Sequence, residues 1–525
     1  MRRAIVVLAA AVWASAPAGA AIAGTPGPRS RPVAEVAKRT RDESTKSIRW
    51  VAAWGASPTG SATGGPANAS VRNLVRVSLG GSAVRVRVAN ALSTDTPLVI
   101  GAATIGLAKA PNDATVVAGT TRAITFNGGH PGIAIPPKTP YVYSDPVDFP
   151  VRDQQDLAIS LYLPAATEPG ALGATWNTSF VTADGAGDRT RSESPDGFSP
   201  GRSSAGGSAR GAPLNCEGCA TYALTAVDVL TDEAYGAVVG LGSSTFHGYN
   251  STQDAWNTVL NDLSVRIDGE LPFGRRVGIV NAGIGGDTLH AGLQRAERDV
   301  FSQSGVTAVI PYDLNDIAPQ ANRTAEQVEA DYRKLIADSH ARAIRVLCST
   351  WPPESTDLSP QSQDERSKIN AWILNSGSCD DIVDWNAVVS DPQAPLTYRP
   401  EYTTGSDTIH PNAAGHKAMS DATPMRWFTA PALGGASAPS LGLPAPSARR
   451  CASRRRFVIH LRAPRGQRVR SARVFLDGRE VRVVHRRARI DLRGLPPTVA
   501  RVTIFLRTRS GRTFVRTRAY RTCTR

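Results

Sequence analysis

The chain has 525 residues, of which 41% are hydrophobic and 20% are charged, and its formal net charge is +15. This length exceeds one ordinary hydrophobic core, so we expect two to four domains, and the composition is that of a globular protein rather than a chain disordered throughout. The charge is unevenly placed, because residues 449–525 hold 24 Arg, no Lys and three acidic residues, a net +21. The rest of the chain is mildly acidic, at −6.

The first 23 residues have the pattern of a secretory signal peptide. Arg2 and Arg3 precede an apolar run at residues 4–13, and a small-residue cleavage site follows at residues 18–20. The alternative is a membrane anchor, but this run is shorter than the ~20 residues that span a bilayer. We therefore expect a secreted, extracellular protein, with a flexible polar leader at residues 24–49.

Residues 50–230 show the two-residue alternation of β-strands. Residues 71–79 and 84–88 alternate on either side of Gly80-Gly81, which predicts a hairpin, and residues 157–163 predict another strand. The Gly/Ser/Arg-rich stretch 183–219 is expected to be a long exposed loop. We predict an all-β domain over 50–230, either a β-sandwich or a jelly roll.

Residues 231–430 alternate short apolar runs with helical stretches. One predicted helix covers residues 256–267, and another begins at Thr324, where Thr324 and Gln327 form a capping box. This alternation predicts a parallel sheet with helices on both faces, in a flavodoxin-like strand order. The predicted strands are residues 237–242, 277–280, 307–310, 344–347 and 381–385.

The chain ends in a small domain that is rich in arginine. Residues 431–448, composed of Ala, Pro, Ser and Gly, predict a linker. Residues 449–525 alternate again, with predicted strands at 457–461, 472–476 and 499–505 and a tight turn at Asp477-Gly478. We predict a small all-β domain with arginines on its outer faces.

Two cysteine pairs are expected to form disulfides in an exported chain. Cys451 and Cys523 bracket the final domain and are the cysteines within it, which makes them the favoured pair. Cys216 and Cys219 are expected to form a local disulfide. Half of a zinc site is the alternative, but no second pair of ligands stands at the required spacing.

Cys348 and Cys379 are expected to stay unpaired with each other. Cys348 ends one predicted strand, and Cys379 precedes the next. In a parallel sheet these two ends lie at opposite edges, which argues against a bond between them.

A candidate catalytic set joins two distant stretches. Asp407 and His410 stand three residues apart before a proline, so one turn can present both side chains in the same direction. A carboxylate that holds one imidazole nitrogen leaves the other free as a base. Ser244 follows the first predicted strand of the α/β region, where ligands bind in such sheets. Any one of Ser244, Asp407 and His410 could be an ordinary turn residue. The three together predict a Ser–His–Asp hydrolase.

The region 237–430 resembles the SGNH, or GDSL-like, hydrolase family. Counterparts of four family blocks occur in order: Gly-Ser-Ser-Thr at 242–245, Asn-Ala-Gly-Ile-Gly-Gly-Asp at 281–287, Asp-Leu-Asn-Asp at 313–316, and the block at 407–410. The β-rich region, starting Trp-Val-Ala-Ala-Trp at 50–54, resembles the front half of secreted actinobacterial members. The resemblance covers most of residues 50–430.

The resemblance implies roles for the site residues. Ser244 would be the nucleophile, His410 the base and Asp407 its partner, and the oxyanion hole would comprise the backbone N–H groups of Ser244 and Gly286 and the amide of Asn315. Two positions depart from the family pattern: Ser243 replaces an aspartate and Asp313 replaces a glycine. An inward carboxylate at Asp313 would oppose a developing oxyanion.

Four ring side chains fall in stretches near the predicted site. They could stack on a sugar or an acyl chain, or they could close the core. These residues are His247, Tyr249, Tyr312 and Trp351.

The expected activity is that of a secreted serine esterase that removes acyl or acetyl groups from a glycan. The alternatives are a lipase or acylhydrolase of the same mechanism, and a catalytically impaired glycan-binding protein. The arginine-rich domain suggests an electrostatic anchor to an anionic cell-wall polymer, and its alternative is a composition bias without a ligand. We expect no nucleic-acid partner, no metal and no cofactor.

Overall fold

The structure is a computed structural model of the chain. It describes residues 48–60, 65–165, 172–201, 218–312, 314–354, 358–404, 407–429, 456–461, 468–476, 479–485, 487–493, 499–509 and 513–521. The predicted signal peptide, almost all of the leader and the linker 431–448 lie outside the described residues.

The described part of residues 49–231 is built from strands, and apolar side chains at alternate positions point into a common core. Four strands form one antiparallel sheet, β1-β16-β4-β10, and seven form another, β14-β13-β3-β11-β6-β7 with β8 beside β6. Both sheets contribute to one hydrophobic cluster, which is consistent with the predicted sandwich. The strands are β1 Arg49–Gly55, β2 Pro58–Gly60, β3 Ala69–Arg76, β4 Val84–Asn90, β5 Leu98–Ile100, β6 Ala102–Ala110, β7 Asp113–Val116, β8 Arg122–Ile124, β9 Ile133–Ile135, β10 Thr139–Tyr143, β11 Asp156–Leu163, β12 Leu172–Thr178, β13 Phe180–Thr182, β14 Phe198–Pro200, β15 Cys219–Tyr222 and β16 Leu224–Thr231.

The predicted hairpin at Gly80-Gly81 is wrong. β3 pairs with β11 and β13, whereas β4 pairs with β16 and β10, so the two strands lie in different sheets. Neither glycine has the positive φ that a tight hairpin turn requires. Instead Gly81 exchanges backbone hydrogen bonds with Val151, and the segment carries the chain from one sheet to the other. The predicted exposed loop is also partly wrong, because β14 lies within it and Thr190 is buried.

Residues 234–428 form the α/β region around five parallel strands. The order β18-β17-β19-β20-β21 is 2-1-3-4-5 in chain sequence, as predicted for a flavodoxin-like sheet. A π-helical turn Glu297–Phe301 and two 3-10 turns, Pro400–Tyr402 and Met425–Phe428, complete the region. The strands and helices are β17 Ala234–Gly242, α1 Ser244–His247, α2 Val259–Glu270, β18 Arg276–Gly283, α3 Leu289–Ala296, β19 Val306–Tyr312, α4 Ala325–His340, β20 Arg345–Ser349, α5 Pro360–Asn375, β21 Asp381–Val383, α6 Trp385–Val389, β22 Ser390–Asp391, β23 Ala394–Tyr398 and α7 Ala413–Ala422.

Helices cover both faces of this sheet, which explains why its strands are apolar throughout. Successive residues of β17 belong to different hydrophobic clusters: Val238 packs with α2 and α7, and Val239 packs with α3, α4 and α5. The predicted capping box is present, with Thr324 and Gln327 bonded reciprocally at the start of α4. Local sequence therefore sets the start of this helix.

The N-terminal strands pack directly on the α/β region. The hydroxyl of Ser78 accepts a hydrogen bond from the backbone N–H of Ile279 at 2.8 Å, and the N–H of Ala52 donates to the carbonyl of Ser304 at 2.9 Å. Side chains of both regions belong to one buried cluster. The predicted boundary at residues 230/231 stays a prediction, as do the other domain limits.

The described part of the C-terminal segment consists of strands in two antiparallel sheets. One has the order β24-β28-β27 and the other β26-β25-β29-β30. In β28 the exposed residues Arg487 and Arg489 alternate with buried Ala488 and Ile490. The strands are β24 Arg456–His460, β25 Val469–Leu476, β26 Arg479–Val481, β27 Val483–Val484, β28 Arg487–Asp491, β29 Val499–Thr508 and β30 Thr513–Arg521. Asp477 and Gly478 lie outside the described residues.

A disulfide joins Cys348 to Cys379, so the expectation that they stay apart is wrong. Their Cα atoms are 5.9 Å apart. The reason is the shortness of β21, which begins beside the middle of β20, with Leu347 paired to Asp381. Cys379 therefore lies next to β20 rather than at the far edge of the sheet. Cys219 is also disulfide-bonded, whereas Cys216, Cys451 and Cys523 lie outside the described residues.

Among the described residues, no helix combines the length and apolar character needed to span a membrane.

Candidate active site

Ser244 lies at the carboxyl edge of the central strand. β17 ends at Gly242, and Ser244 is the first residue of the one-turn helix α1. The backbone N–H groups of Gly248 and Tyr249 donate to the Ser244 carbonyl, at 2.9 and 3.1 Å, which fixes the turn. Ser243 precedes it and is buried, at 2% exposure. The side chain of Ser244 is therefore presented just beyond the strand, as predicted.

The structure brings Ser244, His410 and Asp407 together. Ser244 Oγ is 2.8 Å from His410 Nε2, and His410 Nδ1 is 2.9 Å from Asp407 Oδ2. The His410 side chain is 14% exposed and that of Asp407 is 33% exposed. A substrate can thus reach the imidazole from solvent.

The turn at 407–410 is held by its own carboxylate. Asp407 Oδ1 accepts hydrogen bonds from the backbone N–H groups of Ile409 and His410, both at 3.0 Å. Burial raises the pKa of Asp407, but the hydrogen bond and charge of His410 and these backbone donors outweigh it, so the net pKa lies below its ordinary value. Asp407 is consequently ionised at neutral pH and able to hold the His410 tautomer.

The two other predicted oxyanion residues follow the strands on either side of β17. Gly286 lies in the turn after β18 and Asn315 in the turn after β19. Gly242 is paired with Gly283 and with Tyr312, so all three strands end at one level. Gly286 has φ = 75°, a left-handed conformation that favours glycine. Asp313 lies outside the described residues.

Asp316, the last residue of the third block, has a structural function. Its carboxylate accepts from the backbone N–H of Leu289 at 2.6 Å, at the start of α3, and lies 3.2 Å from Arg323. Burial raises the pKa of Asp316 to about 6, against the opposing effect of these partners. The carboxylate thus ties the turn after β19 to the helix after β18.

The candidate ring residues divide into core and site. Tyr312 and Trp351 are fully buried, and Trp351 Nε1 donates to the hydroxyl of Tyr332 at 3.0 Å. His247 is also buried, and its Nδ1 accepts the backbone N–H of Gly285 at 3.1 Å. Burial lowers the pKa of His247 to about 4. Tyr249 is the candidate that lies beside the catalytic set, with its ring centroid 5.2 Å from that of His410.

Arg295 lies beneath the site, and no pattern in the sequence predicts it there. It is 9% exposed, and its guanidinium bonds Asp287 at 2.7 Å, Asp299 at 3.1 Å, and the carbonyls of Gly242 and Ala282 at 3.2 and 2.8 Å. It therefore links the ends of β17 and β18 beneath the second block. An arginine on a helix carries no local signal of such a role.

A small cavity of about 40 Å³ lies near the segment that follows Ser244, with His247 in its wall. It runs between the N-terminal strands and the α/β region, and its lining includes Trp54, Trp176, Trp256 and His247. Neither Ser244 nor His410 lines it. In the part of the chain that the structure describes, no group of three His, Cys, Asp or Glu side chains is placed to hold a metal ion.

This geometry can deprotonate a hydroxyl. An imidazole that accepts from a serine while a carboxylate holds its other nitrogen is the arrangement by which serine hydrolases generate a nucleophile. Its position, beyond the carboxyl ends of parallel strands, is where such sheets bind ligands. The fold and the site therefore define a serine hydrolase.

Comparison with known proteins gives the family. Residues 241–418 match the GDSL-like Lipase/Acylhydrolase family. Similar solved structures include a GDSL-like lipase from Bacteroides thetaiotaomicron (18% identity, TM-score 0.28) and the lipase/acylhydrolase from Enterococcus faecalis (17%, 0.29). An acetyl xylan esterase is also similar, at 19% identity and a TM-score of 0.27. Each covers 35% of this chain, and 84%, 91% and 96% of the respective structure is matched. No curated protein matches the chain.

Residues 241–418 thus belong to the GDSL-like lipase/acylhydrolase family, and the chain is a serine ester hydrolase.

Proposed function

We propose that the protein is a secreted esterase that hydrolyses acyl or acetyl esters of a glycan by a Ser–His–Asp mechanism. The observation that supports the mechanism most is the unbroken hydrogen-bonded series from Ser244 Oγ to His410 to Asp407, at 2.8 and 2.9 Å. Both distances are within the range that proton transfer requires.

In the proposed reaction, Ser244 Oγ attacks the ester carbonyl carbon as His410 Nε2 takes the hydroxyl proton. The tetrahedral intermediate collapses, and the departing alcohol takes that proton from His410. Water, deprotonated by His410, then attacks the acyl-enzyme and releases the acid and the free serine. Asp407 stays ionised throughout and stabilises the imidazolium.

The oxyanion is assigned to the backbone N–H groups of Ser244 and Gly286 and to the amide of Asn315. Their support is the common level at which β17, β18 and β19 end, which places three turns around one point. Each such donor typically contributes about 3–4 kcal/mol to the transition state. Replacing Asn315 with Ala should therefore lower kcat about 10²–10³-fold.

The glycan assignment is supported by the openness of the site and by its surroundings. The imidazole and carboxylate are partly exposed, so a bulky substrate can approach, and the N-terminal strands pack alongside. Residues 1–23 and the Cys348–Cys379 disulfide support export to an oxidising compartment. Finding the mature N-terminus near residue 24 in the culture medium would test that part.

The decisive experiment is a substrate panel run with the full chain and with Ser244→Ala. p-Nitrophenyl acetate, butyrate and palmitate and acetylated xylan separate short-acyl, long-acyl and glycan esterases. Ser367→Ala is a matched control, because its hydroxyl donates to the carbonyl of Gln363 within α5. We expect short esters and the acetylated glycan to be cleaved, and Ser244→Ala to lose at least 10³-fold in kcat.

Other outcomes of the panel would identify the alternatives. Preference for palmitate would favour a lipase. A folded chain that an organophosphate fails to label at Ser244, yet binds the glycan, would be a catalytically impaired binding protein.

We further propose that the arginine-rich segment anchors the protein to an anionic cell-wall polymer. The support is its net charge of +21 and the exposed Arg456, Arg487 and Arg489 on paired strands β24 and β28. Replacing these three with Gln should weaken binding of the full chain to purified cell walls at low salt. Binding that survives 1 M salt, or a preference for DNA over the walls, would contradict the proposal.

A further inference from the structure

The segment that follows the nucleophile turn has a strained backbone. Three residues between Tyr249 and Val259 that are not glycine have left-handed conformations: Asn250 with φ = 61°, Asp254 with φ = 61° and Trp256 with φ = 52°. Such conformations are unfavourable for residues with a Cβ, and they persist where surrounding contacts impose them. We call residues 249–256 the support loop.

The contacts that hold the support loop come from β12 of the N-terminal region. The carboxylate of Asp254 accepts from the backbone N–H of Thr178 at 2.6 Å and from its hydroxyl at 2.8 Å. The N–H of Asp254 in turn donates to the carbonyl of Trp176 at 3.3 Å. Trp176 Nε1 donates to the carbonyl of Ser251 at 3.2 Å, and Gln253 Nε2 donates to the Thr178 hydroxyl at 2.9 Å. One short strand thus binds the loop at three positions.

The other end of the support loop holds His410. The ring of Tyr249 lies against the imidazole of His410 at a centroid distance of 5.2 Å and an interplanar angle of 33°. Trp176 packs on the Tyr249 ring at 4.9 Å. The side-chain amide of Asn250 donates to the backbone carbonyl of His410 at 2.9 Å. His410 is therefore fixed by Asp407 through its Nδ1, and by the support loop through its ring face and its main chain.

We propose that Trp176, Thr178 and Asp254 are positioning residues for His410, which act through the support loop. The N-terminal region would then affect the rate of the chemical step through the support loop, in addition to binding substrate or stabilising the chain. The inference rests on the proposed role of His410 as the general base. Small displacements of such a base lower the rate steeply, because proton transfer requires hydrogen-bond geometry in the transition state.

The test uses Asp254→Ala in the full chain and measures turnover for each molecule whose Ser244 can still react. An organophosphate titrates the competent Ser244 sites, so kcat can be expressed per labelled site. We expect a fall of about tenfold or more in that value with p-nitrophenyl acetate, and a KM within about twofold of the parent. A purely structural role would reduce the number of labelled sites and leave their turnover unchanged.

Asp145→Ala is the matched control. Like Asp254, Asp145 is a partly buried carboxylate that accepts from a threonine hydroxyl, that of Thr125, and from backbone N–H groups, those of Gly128 and Gly129. These partners form a turn of the N-terminal region. The per-site turnover of Asp145→Ala should equal that of the parent protein.

Substitutions at two further positions keep the proposal testable if Asp254→Ala does not fold. Asn250→Gly retains the left-handed backbone and removes the amide that holds His410, and it should lower per-site turnover about threefold or more. Trp176→Phe keeps the ring contact and should retain more turnover than Trp176→Leu.

Parental per-site turnover in Asp254→Ala and Asn250→Gly would overturn the positioning role and leave the catalytic assignment intact. Activity in Ser244→Ala would instead overturn the proposed function itself.

Discussion

The α/β region and the N-terminal strands contribute to the same site in different ways. Ser244, Asp407 and His410 all follow or flank elements of the α/β region, and they meet through side-chain hydrogen bonds. The N-terminal region supplies Trp176 and Thr178, which bond the support loop, and Ser57, which accepts a hydrogen bond from Arg295 of α3. The reacting groups thus lie in one region, while the contacts around them come from both.

The largest expected effect belongs to the α/β region. Asp407→Asn should lower kcat about 10⁴-fold, because the amide cannot stabilise the imidazolium and can favour the wrong tautomer. The urea midpoint at pH 7 should move little, since the carboxylate is one-third exposed. A loss below tenfold in a p-nitrophenyl acetate assay would contradict the role given to Asp407.

Among the contacts between the two regions, those of Arg295 should contribute most to stability. Arg295→Met leaves the buried Asp287 and Asp299 without that cation and removes the bond to Ser57, so we expect about 3–5 kcal/mol of destabilisation. The control is Arg333→Met, whose pair with Glu329 is exposed and should contribute less than about 1 kcal/mol. Urea unfolding of both variants measures the difference, and equal midpoints would refute it.

A smaller effect is expected where the two regions pack most closely. A Cβ at Gly278 of β18 would collide with the carbonyl oxygen of Ala52 in β1, and neither backbone can move independently. Gly278→Ala should destabilise the protein by about 1–3 kcal/mol through overpacking. Per-site turnover should be unchanged in the folded fraction, and a fall in that quantity would show that this part of the contact reaches the chemistry.

The last expected effect concerns pH. His247 and His416 are buried with pKa values of about 4, so between pH 6.5 and 4 the unfolded chain binds protons that the folded chain does not. Stability should therefore fall as the pH decreases through this window, by about 1.4 kcal/mol per pH unit for each histidine. His247→Asn, which can still accept from Gly285, should reduce the slope of stability against pH by one proton. An unaltered slope in urea titrations would exclude His247 as a source.

Sequence determined the local part of the α/β region. The capping box of Thr324 and Gln327 involves neighbours three residues apart, and Asp407 and His410 share one turn, so both were predictable from residue types and spacing. The alternation of strands and helices predicted the parallel sheet, since parallel strands need crossover connections, and five such strands suited the flavodoxin-like order that the sheet has. The position of Ser244 beyond β17 was predictable because it directly follows a recognisable strand.

Tertiary structure alone decided the contacts between distant segments. The Gly80-Gly81 segment has a hairpin composition, yet the strand partners of β3 and β4 lie elsewhere in the chain and override it. The Cys348–Cys379 bond depended on where β21 begins against β20. Trp176 reaches Ser251 across 75 residues, and Arg295 reaches Ser57 across 238. Spacing in sequence does not encode such meetings, because packing of complete sheets brings these residues together.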